Sequence, residues 1–332
     1  MCVRPDAPSM PTNERSAIFY EPETPLLLVA HDAGGAELVA AWAKKHLRHD
    51  YNCIVEGPAE NVFFRYGLLK SRLESRNEAI RHLKGFRTVL TGTSWSSDLE
   101  KIFVDRATRL EITTICYLDH WTDYRSRFLM GEKLVLPSLF WVGDKYAKTI
   151  AETTFPGKQV IDVGNFYLEG EVEKVKAHGM VQRRSTGRKN VLFVSEPLSA
   201  AARKKYGDEQ YYGYTEYDAL AAFLDYAGAS LAGEIEFIRI RRHPSEKPGK
   251  YAEFVDENSI PAIAECGDAS LEEDLAWADW IIGCQSMAMV VALMAGKQVF
   301  SAIPPGGRSI EIPLPGIVPL FKSATHCAEQ RS

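Results

Sequence analysis

One stretch constrains this chain more than any other, the run from Ile281 to Val299. Trp280 to Ile282 is a short apolar run, and Gly283 interrupts it. Met287 to Ala295 is apolar on nearly every side, the mark of a buried helix rather than a surface one. Gly296 and Lys297 stop that helix, and Gln298 to Ala302 starts an apolar strand. Strand, glycine turn, buried helix and strand make a βαβ unit, so the sheet around it is parallel and covered on both faces. Gln285 and Ser286 fall where the helix begins. A helix start offers unpaired N–H groups and partial positive charge, and the Ser286 hydroxyl adds to them; that set suits a phosphate. Taken alone, Ser286 also reads as a plain N-cap.

The same alternation recurs along the chain. Leu26 to Ala30 is a buried-strand run, followed by the turn His31 to Glu37 with Gly34 and Gly35, then a helix over Leu38 to His46. Strands are expected at Asn52–Glu56, Thr88–Gly92, Ile112–Leu118, Leu139–Val142 and Gln159–Val163. A second series runs through Asn190–Ser195 and Ile235–Arg241 to the unit described above. The expected class is α/β, with two facing Rossmann-like domains and an interdomain cleft. The expected division is an N-terminal arm over 1–24, a first domain over 25–171, a linker over 172–189 and a second domain over 190–332. Leu69 to Leu83 has helical period, and the Pro-rich tail from Pro313 to Phe321 is expected to pack back on the first half.

Composition narrows the function. The 332 residues carry a net charge of −5, with no global basic footprint for nucleic acid. Six scattered cysteines form no C-x-x-C pair and read as reduced core thiols of a cytoplasmic protein. No apolar run reaches the length of a membrane span, and Met1 to Thr24 lacks the apolar core of a signal peptide. Peripheral membrane association stays open, and the sequence leaves the oligomeric state undetermined.

Polar clusters stand at the expected strand ends, where ligands of open α/β sheets bind. They are His31 and Asp32 with Gly34 and Gly35, Thr91 to Ser97, Asp119 and His120, Ser195 and Glu196, Arg241 to His243, and Gln285 with Ser286. Asp32 is the first candidate for a general base and His31 the second, since imidazole ordinarily titrates nearer neutrality. Asp32 also reads as a helix cap. Thr93, Ser94, Asp119 and His120, with Gly34 and Gly35, are candidates for holding an acceptor. Trp121 and Tyr124 suit stacking on a sugar face. No His/Asp/Glu group has clear ligand spacing, so no metal is expected. The G-G turn lacks the full dinucleotide spacing, and no cofactor is expected.

At Arg242-His243-Pro244 and Gly283-Cys284-Gln285-Ser286 the sequence resembles the GT-B glycosyltransferases and their relative, the UDP-N-acetylglucosamine 2-epimerase. The His-Pro piece is similar to the one bacterial sialyl-, polysialyl- and Kdo-transferases use for a donor phosphate. The resemblance implies a phosphate role for His243 and Ser286, with Arg242, Gln285, Ser195 and Glu196 around the donor. UDP-dependent relatives commonly hold the ribose with a glutamate five residues after that serine; here the position is Val291. That departure favours a CMP-linked acidic sugar, unless Glu196 or Glu265 supplies the contact. The implied activity is metal-independent transfer from a nucleotide-sugar, as substrate, to a glycan, glycolipid or protein acceptor. A nucleotide-sugar epimerase or hydrolase, and a non-catalytic nucleotide- or sugar-binding protein, are the alternatives.

Overall fold

A computed structural model describes residues 20–47, 50–179, 187–231, 233–256, 258–259, 261–309 and 311–321. The chain passes from one compact unit to a second at Glu169–Gly170.

In the first unit, β1 (Leu26–Ala30), β2 (Tyr51–Val55), β3 (Thr88–Thr91), β4 (Thr113–Tyr117), β7 (Leu139–Val142) and β8 (Gln159–Asp162) form one sheet. Its order is β2-β1-β3-β4-β7-β8, with every pairing parallel. The connections carry α1 (Ala33–His46), α2 (Pro58–Tyr66), α3 (Arg76–Arg81), α4 (Leu99–Arg109), α5 (Tyr124–Arg127) and α6 (Lys145–Thr154). A hairpin of β5 (Leu129–Met130) and β6 (Lys133–Leu134) precedes β7, and α7 (Phe166–His178) follows β8. Side chains alternate across a strand, so β1 feeds two cores. Leu26, Leu28 and Ala30 join Val39, Trp42, Phe63 and Trp141. Leu27 and Val29 join Leu83, Leu99 and Phe103. That is why all five residues of β1 are apolar and buried.

The second unit repeats the plan. Its strands are β9 (Lys189–Val194), β10 (Ile235–Arg241), β11 (Ala262–Glu265), β12 (Trp280–Gly283), β13 (Gln298–Ser301) and β14 (Ile317–Pro319). The order is β11-β10-β9-β12-β13-β14, all parallel. Its helices are α8 (Leu198–Tyr206), α9 (Glu216–Ser230), α10 (Leu271–Trp277) and α11 (Met287–Met294). Capping boxes at Thr215/Asp218 and Ser270/Glu273 set the starts of α9 and α10. Gly283 lies where a Cβ would come within 2.8 Å of Val194 Cγ2 and 2.9 Å of Met289 Sδ, so it lets α11 close onto the sheet.

Several elements differ from expectation. Leu69 to Leu83 is not one helix: Arg72 and Ser75 are extended, and only Arg76–Arg81 is α-helical. The Leu73 amide donates to the Cys53 carbonyl, which holds the segment against β2. The expected linker over 172–189 opens with the last turns of α7, while 180–186 lie outside the described residues. The tail becomes part of the second unit's sheet. Ile317–Pro319 becomes β14 beside β13, and Leu320 and Phe321 pack on the second unit's own core. Most of the expected N-terminal arm is outside the described residues, although Tyr20 packs edge-on to Trp141. Cys53, Cys116, Cys266 and Cys284 are free thiols; Cys2 and Cys327 are not described. Among the described residues no helix is long and apolar enough to cross a membrane.

Candidate functional site

Chain order reverses between β1 and β3 in the first sheet, and between β9 and β12 in the second. Such reversal points open a crevice at the carboxyl ends of the strands.

In the first unit the reversal point joins the turn after β1 to the loop after β3. His31 Nδ1 lies 2.8 Å from Asp32 Oδ1. Ser96 Oγ donates to the same oxygen. Asp32 Oδ2 accepts the Trp95 amide at 2.7 Å and the Ser96 amide at 3.4 Å. Asp32 stands at the N-cap of α1, yet its side chain makes no cap bond there. Burial works to raise its pKa, but hydrogen bonds from Ser96, His31, the Trp95 amide and Ser94 outweigh it and hold the carboxyl at about 2. A carboxylate so stabilised is a weak proton acceptor.

That arrangement shifts the basic position to His31. Ionised Asp32 only accepts, so the proton of the shared bond sits on Nδ1 and Nε2 keeps a lone pair. Among the described residues Nε2 has no hydrogen-bond partner. Gly57 leaves room beside it: a Cβ there would come within 2.8 Å of both Nε2 and Cε1, and the backbone at φ +58° disfavours a side chain as well. The main chain of His31 is also fixed, its amide donating to buried Glu100 Oε1 at 2.7 Å. Burial pushes Glu100 up to about 7, and among the described residues its Oε2 has no partner. That residue lines a cavity of about 10 Å³, with Thr93, Lys101 and Arg127 among its neighbours.

The acceptor candidates divide by burial. Thr93 and Ser94 are buried and their hydroxyls are used internally. Thr93 Oγ1 donates to Asp119 Oδ1 at 2.6 Å and accepts from Arg127 at 2.7 Å, while Ser94 Oγ accepts the Ser97 amide at 3.0 Å. Asp119 also pairs with Arg127. Its Oδ2 lies 2.4 Å from where a Gly34 Cβ would be, so Gly34 makes space for that carboxylate. Gly35 serves packing: its Cβ would meet the Thr93 backbone at 2.6 Å. His120 is partly buried, and burial lowers its pKa. Trp121 and Tyr124 are not a sugar platform, being only 7% and 3% exposed; the Trp121 indole donates to Asp144 at 2.9 Å. The exposed aromatic is Trp95, at 49%, with the Arg127 guanidinium 4.9 Å from its ring centre. Sequence reasoning reached Trp95 and Ser96 only as members of the Thr91–Ser97 cluster, and passed over Gly57 and Glu100. An aromatic within a serine-rich strand-end turn was the available signal.

In the second unit the candidate donor residues fall into two groups. His243 is exposed in the turn after β10. Its Nδ1 accepts the Ser245 amide at 3.2 Å and lies 2.7 Å from Ser245 Oγ, which makes Nε2 the N–H nitrogen, a donor suited to a phosphate oxygen. Glu246 shapes the turn. Its carboxylate accepts the His243 amide at 2.7 Å, Lys250 Nζ at 2.7 Å and Tyr251 Oη at 3.1 Å. Ser195 is buried in the same network, bonded to Tyr251 Oη and 3.4 Å from Glu246, so it braces the turn from inside. Arg242 donates to the Glu246 carbonyl at 2.9 Å and pairs with Glu265 at 3.3 Å. Arg239 and Arg241 pair with fully buried Asp274.

The second group is the β12–α11 turn. Ser286 caps α11, its Oγ accepting the Ala288 amide at 3.2 Å. The Gln285 amide donates to Glu196 Oε1 at 2.6 Å, and the Gln285 side chain accepts the Glu311 amide at 2.9 Å. Glu196 is pushed up to about 7 by burial, against the amides of Gln285, Cys284 and Ser286 that draw it down. The Gln285 amide of that turn therefore holds a carboxylate of the chain itself. Val291 is buried in α11. Among the described residues no group of three or more His, Cys, Asp or Glu is placed to hold a metal.

Comparison with solved structures identifies the fold. The UDP-GlcNAc 2-epimerase of Neisseria meningitidis, solved with UDP-GlcNAc, superposes with a TM-score of 0.53 at 11% identity, over 83% of this chain and 81% of that one. The fold is of the GT-B type. UDP-GlcNAc 2-epimerase from Methanocaldococcus jannaschii gives 0.53 at 13% identity, over 83% of each chain. Staphylococcus aureus MnaA with UDP gives 0.52 at 13%, over 84% of this chain and 79% of that one. No protein-family model and no curated protein sequence matches the chain. The GT-B likeness is thus one of fold, reached with little sequence in common.

Proposed function

We propose that this chain transfers a sugar from a nucleotide-sugar donor to a hydroxyl of a glycan, glycolipid or protein. The observation that carries the reading is the His31–Asp32 pair. Asp32 fixes the tautomer of His31, and Nε2 takes the acceptor proton as the new glycosidic bond forms. Asp32 is then a positioning residue rather than the base. Trp95 and Ser96 flank the pair on the acceptor side. On the donor side, the His243 N–H stabilises the phosphate that leaves with the nucleotide. The reading requires neither metal nor cofactor, the nucleotide-sugar being substrate, and it places the reaction in the cytoplasm, on the side of the donor pool. Val291 in place of a ribose-holding glutamate favours a CMP-linked donor.

The test is a calorimetric panel of CMP, CDP, UDP, GDP, ADP and NAD, followed by donor turnover with and without acceptor. Selective CMP binding with acceptor-dependent nucleotide release supports the proposal. Binding of no nucleotide overturns it. Selective UDP binding keeps the transfer and discards the Val291 argument.

One observation favours a second reading. The three solved structures compared above are a UDP-GlcNAc-bound epimerase, a second UDP-GlcNAc 2-epimerase and a UDP complex. Epimerisation or hydrolysis of a UDP-sugar needs a proton acceptor too, and His31 would supply it. Turnover of a UDP-sugar without acceptor selects this reading.

A further inference from the structure

A chain of contacts runs almost full circle around His31. Its amide donates to Glu100 Oε1 at 2.7 Å, and its Nδ1 lies 2.8 Å from Asp32 Oδ1. Asp32 Oδ2 accepts the Trp95 amide at 2.7 Å, and the Arg127 guanidinium lies 4.9 Å from the Trp95 ring centre. Arg127 Nη1 donates to Thr93 Oγ1 at 2.7 Å and to Asp119 Oδ1 at 2.5 Å. Among the described residues the circle is open at one place, between Arg127 and Glu100.

These two residues line the same cavity of about 10 Å³, room for about one water molecule. Glu100 is 4% exposed and Arg127 8%. Among the described residues Glu100 Oε2 and Arg127 Nε have no hydrogen-bond partner. Polar neighbours at the cavity are already engaged, Lys101 with Asp98 and the Leu129 carbonyl, the Thr93 hydroxyl with Asp119 and Arg127. A buried donor and a buried acceptor left unpaired are costly. A guanidinium Nε–H only donates, so its partner must accept; an ionised carboxylate only accepts, so its partner must donate. Arg127 repels a cation and Glu100 repels an anion. Water meets both demands and fits the space.

We propose that one water molecule bridges Arg127 Nε and Glu100 Oε2 and closes the circle, so that Glu100 and Arg127 act as positioning residues for His31. The bridge rests on the cavity and its two unpaired atoms; its value to catalysis rests on the function proposed above. The division of labour is simple. Asp32 orients the imidazole, while Glu100, steadied through the water by Arg127, holds the main chain that carries it.

The experiment compares the full chain as wild type and as Val104→Leu. Val104 is buried in α4 and lines the cavity, so the longer side chain takes the water's place without removing a polar group. Leucine also suits a helix better than valine. A crystal structure of the wild type should show a water oxygen about 3 Å from both atoms, and that of the variant should not. Water donating to Glu100 favours its ionised form, so loss of the water should raise the carboxyl's midpoint above about 7, by about one pH unit, in carboxyl NMR. Asp32 and His31, which also act on this carboxyl, are the same in both proteins. The His31 amide should exchange with solvent about tenfold faster in the variant, because its acceptor is held less firmly. A wild-type structure without that water overturns the bridge. An unchanged midpoint or unchanged amide exchange in a folded variant overturns the positioning role. Should Val104→Leu fail to fold, Val104→Ile adds the same methylene on a β-branched side chain and is read in the same way. None of these measurements involves a sugar donor, so failure of the transferase reading leaves them intact.

Discussion

The two reversal points sit at the same place in sheets of the same plan, and they are finished in opposite ways. In the first unit Asp32 draws in Ser96, two amides and one imidazole nitrogen, and leaves the other nitrogen of His31 without a partner among the described residues. In the second, the carboxylate of Glu196 turns inward and accepts the Gln285 amide. One carboxylate orients an imidazole; the other is spent on the turn that opens α11. Their protonation behaviour follows. Strong hydrogen bonds hold Asp32 at about 2, while burial lifts Glu196 to about 7. Position in the fold therefore locates a site without deciding its chemistry, which lies in how many donors each carboxylate meets.

The contrast breaks most directly at His31. His31→Ala should lower turnover by about 10²–10⁴-fold, the usual contribution of a general base, with nucleotide affinity unchanged. Equal turnover would leave the first reversal point without a catalytic role.

Beneath His31, Glu100 sharpens the comparison because it shares the fate of Glu196. Its carboxyl titrates at about 7 in the fold, against an ordinary value of 4.5. Folding therefore favours its protonated form. That stability is complete below about 4.5 and is lost as pH rises through about 7, by roughly 3 kcal/mol. Glu100→Gln keeps an acceptor for the His31 amide and should abolish most of this loss. Chemical denaturation at about pH 5 and about pH 8 measures it; an unaltered pH slope in the variant would contradict the assignment.

Asp32→Asn should reduce turnover by about tenfold to a hundredfold, less than His31→Ala, because the base remains and only its orientation is lost. A loss equal to that of His31→Ala would return Asp32 to the role of base. Ser286→Ala should be the mildest change. Loss of its cap bond should cost about 1 kcal/mol of stability, and phosphate affinity should hold. A collapse of nucleotide binding instead would place Ser286 on the ligand.

Much of this was legible in the sequence. Leu26–Ala30 and the Ile281–Val299 unit announce buried parallel strands, and the polar residues that follow them mark the reversal points. Less legible was which polar atoms are spent internally. Thr93 and Ser94 look like ligands until Arg127, 34 residues beyond Thr93, arrives to engage it. Trp121 and Tyr124 carry the same rings whether they face a sugar or a core, and only the packing of Asp144 beside Trp121 tells. Glu196 and Gln285 are 89 residues apart, joined through the pairing of β9 with β12. Local patterns give elements; such encounters depend on register between strands distant in the chain.

The central claim is that Asp32 holds His31 with its proton on Nδ1 and its lone pair on Nε2. Nitrogen NMR of the imidazoles, on the neutral side of their titration, reads this without any substrate. The account predicts an Nδ1–H signal for His31 that changes in Asp32→Asn. An Nε2–H tautomer in the wild type would contradict it.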